Sequence, residues 1–196
     1  MLFRSLLVRA LGRRRHGDER QLVLKCTSWN IRRREFLAAA FPETPWVWVQ
    51  RDPAHVLASL LTNPPGWLGL QAVHPQTARL FGLDPESVPA RARVEFAARA
   101  LGAMLEAAAT DPAGRLSIDY AELPGAVWQH VAPHFGLEAD SAAIDRMIEE
   151  SRFYSKDPSP RVFDGDAAGG RPVAPAIRNA AQRFVEPGYR ALATQL

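Results

Sequence analysis

Residues 46–59 read Trp46-Val-Trp-Val-Gln50 and then Arg51-Asp-Pro-Ala-His-Val-Leu-Ala-Ser59. The first five, apolar and rich in aromatic and β-branched side chains, have the pattern of a buried parallel strand. Pro53 suits the first position of a helix, where no amide hydrogen is needed and φ is already set. The stretch therefore predicts a strand that turns directly into a helix. The unpaired amides and positive dipole end of such a helix suit a phosphate. Arg51 adds a planar fork of donors, and Ser59, two turns into the helix, adds a hydroxyl. The same residues also make a helix entry with no ligand, Asp52 serving as N-cap and Arg51 pairing with a carboxylate.

Working outward, Arg13-Arg-Arg-His-Gly-Asp-Glu-Arg20 is a polar turn and Leu22-Val-Leu-Lys25 predicts a short buried strand ending in a polar corner, Cys26-Thr-Ser-Trp-Asn30. Helical spacing follows over 31–40 and stops at Phe41-Pro42. Residues 62–90 are rich in Pro and Gly and keep no periodicity, which predicts a long functional loop. A helix over 91–109 turns through Asp111-Pro-Ala-Gly114 into a third strand, Arg115-Leu-Ser-Ile-Asp119. Further helices are predicted over 124–135, 141–150 and 174–193, the last broken near Pro187-Gly188. Residues 153–172 read as an ordered loop or a flap. This alternation implies an α/β fold, a parallel sheet of at least three strands flanked by helices. The chain reads as one domain over 1–196, with 1–20 as a basic amphipathic helix and turn.

Composition narrows the function. A chain of 196 residues, 47% hydrophobic and 23% charged, can bury a real core. A net charge of +3 suits a phosphate-rich ligand but falls short of the basic stripe of a nucleic-acid binder. Cys26 is the lone cysteine, so no intrachain disulfide is possible. Nothing approaches the ~18 apolar residues of a membrane span, and Arg4 and Arg9 interrupt the apolar N-terminus, so a cytoplasmic protein is expected. His130 and His134 have the spacing of a metal pair, but Pro133 disturbs the helix and no third ligand is near. Arg32-Arg-Arg34 reads as a solvated face.

Several segments together resemble the sulfotransferases that use 3′-phosphoadenosine 5′-phosphosulfate (PAPS). Arg51 and Ser59 match the pair that clamps the cofactor's 3′-phosphate in that family. Tyr120, in Leu116-Ser-Ile-Asp-Tyr120-Ala-Glu-Leu123, is similar to a tyrosine that lies close to the adenine, although a buried aromatic at a strand end has the same look. Ser151 and Phe153, in Met147-Ile-Glu-Glu-Ser151-Arg-Phe153, resemble the small hydroxyl and aromatic set against the adenine ring, a place where Phe153 would equally serve as a core plug. Arg171, in Gly169-Gly-Arg171-Pro172, takes the place of a second 3′-phosphate contact.

At the end of the first predicted strand, Lys25 matches a lysine that stabilises charge on the bridging oxygen, as lysine does in phosphoryl transfer. Thr27 stands where the family often has a catalytic histidine. The resemblance implies a P-loop NTPase-like fold and sulfuryl transfer from PAPS to a hydroxyl or amine of a small-molecule acceptor. No Gly-rich loop for the 5′-phosphosulfate precedes Lys25, so the domain reads as N-terminally truncated, with activity of this chain alone in doubt and an open sheet edge suited to homo-oligomers. The alternative is a non-catalytic relative that binds an adenosine bisphosphate or a protein partner.

Overall fold

The computed structural model describes residues 12, 13, 17, 20–88, 92–153 and 172–194. A 3-10 helix, Ser28–Arg33, runs into α1, Arg34–Ala40, and the chain then enters β1, Trp46–Gln50. Four helical pieces separate this strand from its partner: α2, Pro53–Thr62; α3, Gly66–Val73; a 3-10 helix, Pro75–Phe81; and α4, Arg93–Thr110. The second strand, β2, Arg115–Asp119, lies parallel to β1, in register from Trp46 opposite Arg115 to Gln50 opposite Asp119. Parallel pairing needs a long crossover, which these helices supply. After β2 come wide-turn helical residues Val127–Val131, then α5, Ser141–Ser151, α6, Pro175–Phe184, and α7, Glu186–Ala193. The architecture is mixed α/β, a small parallel sheet flanked by helices.

The main core lies on the sheet face that carries Trp46 and Trp48, which pack against its buried cluster. Its centre is α4, an alanine-rich and strongly helix-forming segment whose Phe96, Ala97, Ala100, Met104 and Ala108 are fully buried. Trp67, Phe81 and Phe96 meet edge to face or tilted, with ring centroids 4.8, 5.9 and 5.8 Å apart. Two glycines let the last helices close onto α4. A Cβ on Gly102 would overlap the carbonyl oxygen of Phe184, and one on Gly188 would come within 2.9 Å of the Leu105 Cβ. Ile118, which alternates with Ser117 on β2, is buried outside this cluster, as are Ala126 and Ala132. Nearby, His134 Nε2–H donates to the carbonyls of Trp46 and Gly114, at 3.2 Å each, and ties the helical segment to the start of both strands.

Four sequence expectations are corrected. Leu22-Val-Leu-Lys25 is not a strand; it is exposed, with Val23 58% accessible, and the sheet of the described residues has two strands rather than three. A three-residue apolar run with no ladder partner takes neither its amides nor its side chains out of water. The strand β1 is not buried on both faces, since Val49 is exposed. Residues 62–88 are not a structureless loop, because Trp67, Leu68, Ala78 and Phe81 in α3 and the following 3-10 helix are buried against α4. The prolines read as loop markers instead open these helices, Pro65 as the N-cap of α3 and Pro75 at the first 3-10 position. The Arg32–Arg34 run is only partly a solvated face: Arg34 pairs with Asp111 at 3.2 Å and lies 4.8 Å over Trp46.

Candidate functional site at the strand ends

Both strands leave the sheet through an aspartate that caps the turn following it. On β1, Asp52 Oδ1 accepts the amide of His55 at 2.9 Å and its Nδ1–H at 2.8 Å. On β2, Asp119 Oδ1 accepts the amide of Ala121 at 2.8 Å, while Glu122 Oε1 accepts the amide of Asp119 at 2.8 Å, a reciprocal capping box. Because Gln50 stands opposite Asp119, the next residue on each strand, Arg51 and Tyr120, meets its counterpart. The Arg51 guanidinium lies 4.8 Å over the Tyr120 ring. Two residues predicted separately for one ligand are therefore in contact.

The helix start is less open to an anion than the sequence suggests. Pro53 has no amide hydrogen, His55 gives its own to Asp52, and Val56 donates to the Asp52 carbonyl at 3.0 Å. Of the first turn, the Ala54 amide is the donor left for a phosphate. Ser59 is exposed and lies two turns, about 10 Å along the axis, beyond Asp52 on the same stripe of α2. His55 occupies that stripe between them, so a phosphate reaching from Arg51 to Ser59 crosses its ring. Asp52 and Asp119 add negative charge at this end of the sheet, part of it engaged by the capping amides. Tyr189 of α7 senses both. Burial first, then the charges of Asp119 and Asp52, push its phenol above the ordinary tyrosine value.

The remaining predicted residues are exposed, engaged within their own helix or outside the described residues. Lys25 and Thr27 are exposed on the stretch before the first 3-10 helix, and the Thr27 side chain makes no capping bond. Ser151 Oγ donates within its own helix to the Ile148 carbonyl at 2.7 Å. Phe153 is exposed rather than a core plug. Arg171, with Lys156 and Arg161, lies outside the described residues. Sequence reasoning missed His55 and Tyr189 as neighbours of the site. The Asp-x-x-His spacing of residues 52–55 was a usable signal for the first; no local pattern marks the second.

An open depression of about 460 Å³ lies away from these residues, lined by Trp128, Ala132, Pro133, Leu137 and Glu138 among others, and is mainly apolar. Among the described residues no helix is long and apolar enough to cross a membrane. The chain matches no protein-family model, no curated protein and no solved structure.

Proposed function

We propose that this chain binds a 3′-phosphorylated adenosine nucleotide at the carboxyl ends of β1 and β2, as the PAPS-dependent sulfotransferases it resembles do. The observation that carries the reading is the Arg51–Tyr120 contact at the joint end of two parallel strands. Ligands of open α/β sheets bind at such strand ends. Arg51 and the Ala54 amide would hold the 3′-phosphate, Ser59 would join them only with the His55 ring turned aside, and Tyr120 would offer a ring face to the base, worth about 1–3 kcal/mol by stacking. Ser151, Phe153 and Arg171 are the candidates for further nucleotide contacts, and the protein is expected to act in the cytoplasm.

The family reaction would transfer the sulfuryl group of PAPS to a small-molecule hydroxyl or amine. One observation favours the non-catalytic reading for this chain: Lys25 and Thr27 stand exposed on an irregular stretch. A charge stabiliser acts through preorganisation in a site shielded from water, and an exposed lysine offers little of either. Binding without turnover is therefore the conclusion. Titration calorimetry of Arg51→Ala tests the binding half: affinity for adenosine 3′,5′-bisphosphate should fall at least roughly tenfold with the circular dichroism unchanged. Sustained turnover of PAPS with phenol or alcohol acceptors by residues 1–196 alone would overturn the non-catalytic half.

A further inference from the structure

The Nδ1–H of His55 is committed to Asp52 Oδ1 at 2.8 Å, and the ring makes no other hydrogen bond among the described residues. That bond fixes the tautomer, so the second nitrogen, Nε2, decides what the ring offers a ligand. On a neutral ring Nε2 carries a lone pair and repels an anion; on a protonated ring it is an N–H donor beside a positive charge. The ring is 27% exposed and the Asp52 side chain 57%, so both can meet a guest. The Ala54 amide, the first-turn donor left for a phosphate, belongs to the residue before His55. A phosphate there also meets the Asp52 carboxylate, whose like charge opposes it unless a cation stands between them. Around the ring, Arg51 lies over Tyr120, Asp119 is in its capping box with Glu122, and Tyr189 of α7 senses both aspartates. Helices α4 and α6 also pack on α2. On α4, Glu95 and Arg99 pair with each other while Arg93 and Glu106 are exposed; on α6, Arg178 donates to the Val173 carbonyl and Arg183 lies over Phe184. Among all these groups Asp52 alone bonds the His55 ring.

Resting on the nucleotide reading above, we propose that His55 binds the 3′-phosphate as an imidazolium held between Asp52 and the ligand, so that the site takes up a proton as the nucleotide binds. A buffer acid gives up the proton and a new N–H bond forms at Nε2. That N–H donates to a phosphate oxygen while Nδ1–H stays on Asp52, a charge-assisted bond of the strong kind. Because the ring lies on the stripe between Arg51 and Ser59, His55 takes the place in the clamp that local likeness assigns to Ser59. Linkage makes the affinity rise as the pH falls from about 8 to about 7, a range in which the phosphate keeps its second charge.

The test is calorimetric titration of the full chain with adenosine 3′,5′-bisphosphate, at about pH 7.5 in buffers of different ionisation enthalpy, for wild type and His55→Gln. The dependence of the heat on the buffer counts the protons exchanged. Wild type should take up close to one proton per nucleotide, and its affinity should fall several-fold from about pH 7 to about pH 8. In His55→Gln, which keeps a polar side chain that cannot be protonated in this range, both the uptake and the pH dependence should vanish. The wild-type proton count stands by itself should the variant fold poorly. Binding by the wild type without proton uptake, or uptake that persists in His55→Gln, overturns this inference and leaves the nucleotide reading intact. A wild type that does not bind the bisphosphate overturns both.

Discussion

The Arg51 guanidinium lies 4.8 Å over the ring of Tyr120 although the strands that the two residues follow are separated by the whole crossover. Parallel register produces the contact, since each residue is the first beyond the Gln50 and Asp119 pair. The two capping aspartates then fix where each chain turns away. A one-residue slip of either strand would send one side chain to the opposite face and separate the pair.

Tyr120→Phe should keep the cation–π contact and leave stability unchanged, whereas Tyr120→Leu should lose about 0.5–1 kcal/mol. Urea denaturation at fixed pH measures both. Arg51→Lys should resemble Tyr120→Leu more than wild type, because an ammonium lacks the planar face that stacks. Equal stability of Tyr120→Leu and wild type would show that the ring contact contributes nothing.

The approach of α6 and α7 to α4 makes a second prediction. Gly102→Ala drives a methyl group into the Phe184 carbonyl, a backbone atom that cannot rotate away, and should destabilise by about 3 kcal/mol or more. At Gly188 the obstacle is the Leu105 side chain, whose Cβ is also fixed to the helix, and the expected loss is about 1–3 kcal/mol. Chemical denaturation ranks the two variants, and a Gly102→Ala protein as stable as wild type would contradict this packing.

Tyr189 predicts a pH dependence. Its phenol is held above the ordinary value of 10.0, first by burial and then by Asp119 and Asp52. A raised folded-state pKa means that the folded chain holds this proton more tightly than the unfolded chain. The resulting stability is complete below the unfolded value and is lost as pH rises through the folded one. Tm followed from about pH 8 to about pH 11 should therefore fall at the alkaline end, and Tyr189→Phe should fall less steeply. Identical profiles would remove the phenol from the electrostatics of this site.

How much of this was legible in the sequence depends on whether a residue's partner is local. The β1 to α2 joint could be read from residues 46–59 because strand, N-cap and helix entry lie within one short stretch. The burial of Trp67 and Phe81 could not, because the ring that receives them is Phe96 on another helix. Leu22-Val-Leu24 has the composition of a strand, yet a strand exists only with a neighbour, and none of the described strands pairs with it. Arg34 belongs to a charge run whose fate is decided by Asp111, far along the chain. Arg51 and Tyr120 were each proposed from local likeness; their contact follows from a register that no single segment contains.

Exposed Leu22, Val23, Leu24 and Val49, together with a two-stranded sheet whose outer edges no described strand covers, predict self-association. Light scattering should give a mass above the 21.6 kDa of one chain, and Val49→Lys should shift it toward the monomer. A stable wild-type monomer at micromolar concentration would refute the prediction.

The central claim is that Arg51 and Tyr120 mark a site for a nucleotide's 3′-phosphate, and discrimination between two nucleotides by the unmodified chain tests it most directly. Titration calorimetry should show adenosine 3′,5′-bisphosphate binding at least roughly tenfold more tightly than adenosine 5′-phosphate, the difference expected for one charge-assisted phosphate contact. Equal affinities, or no binding of either nucleotide, would contradict it.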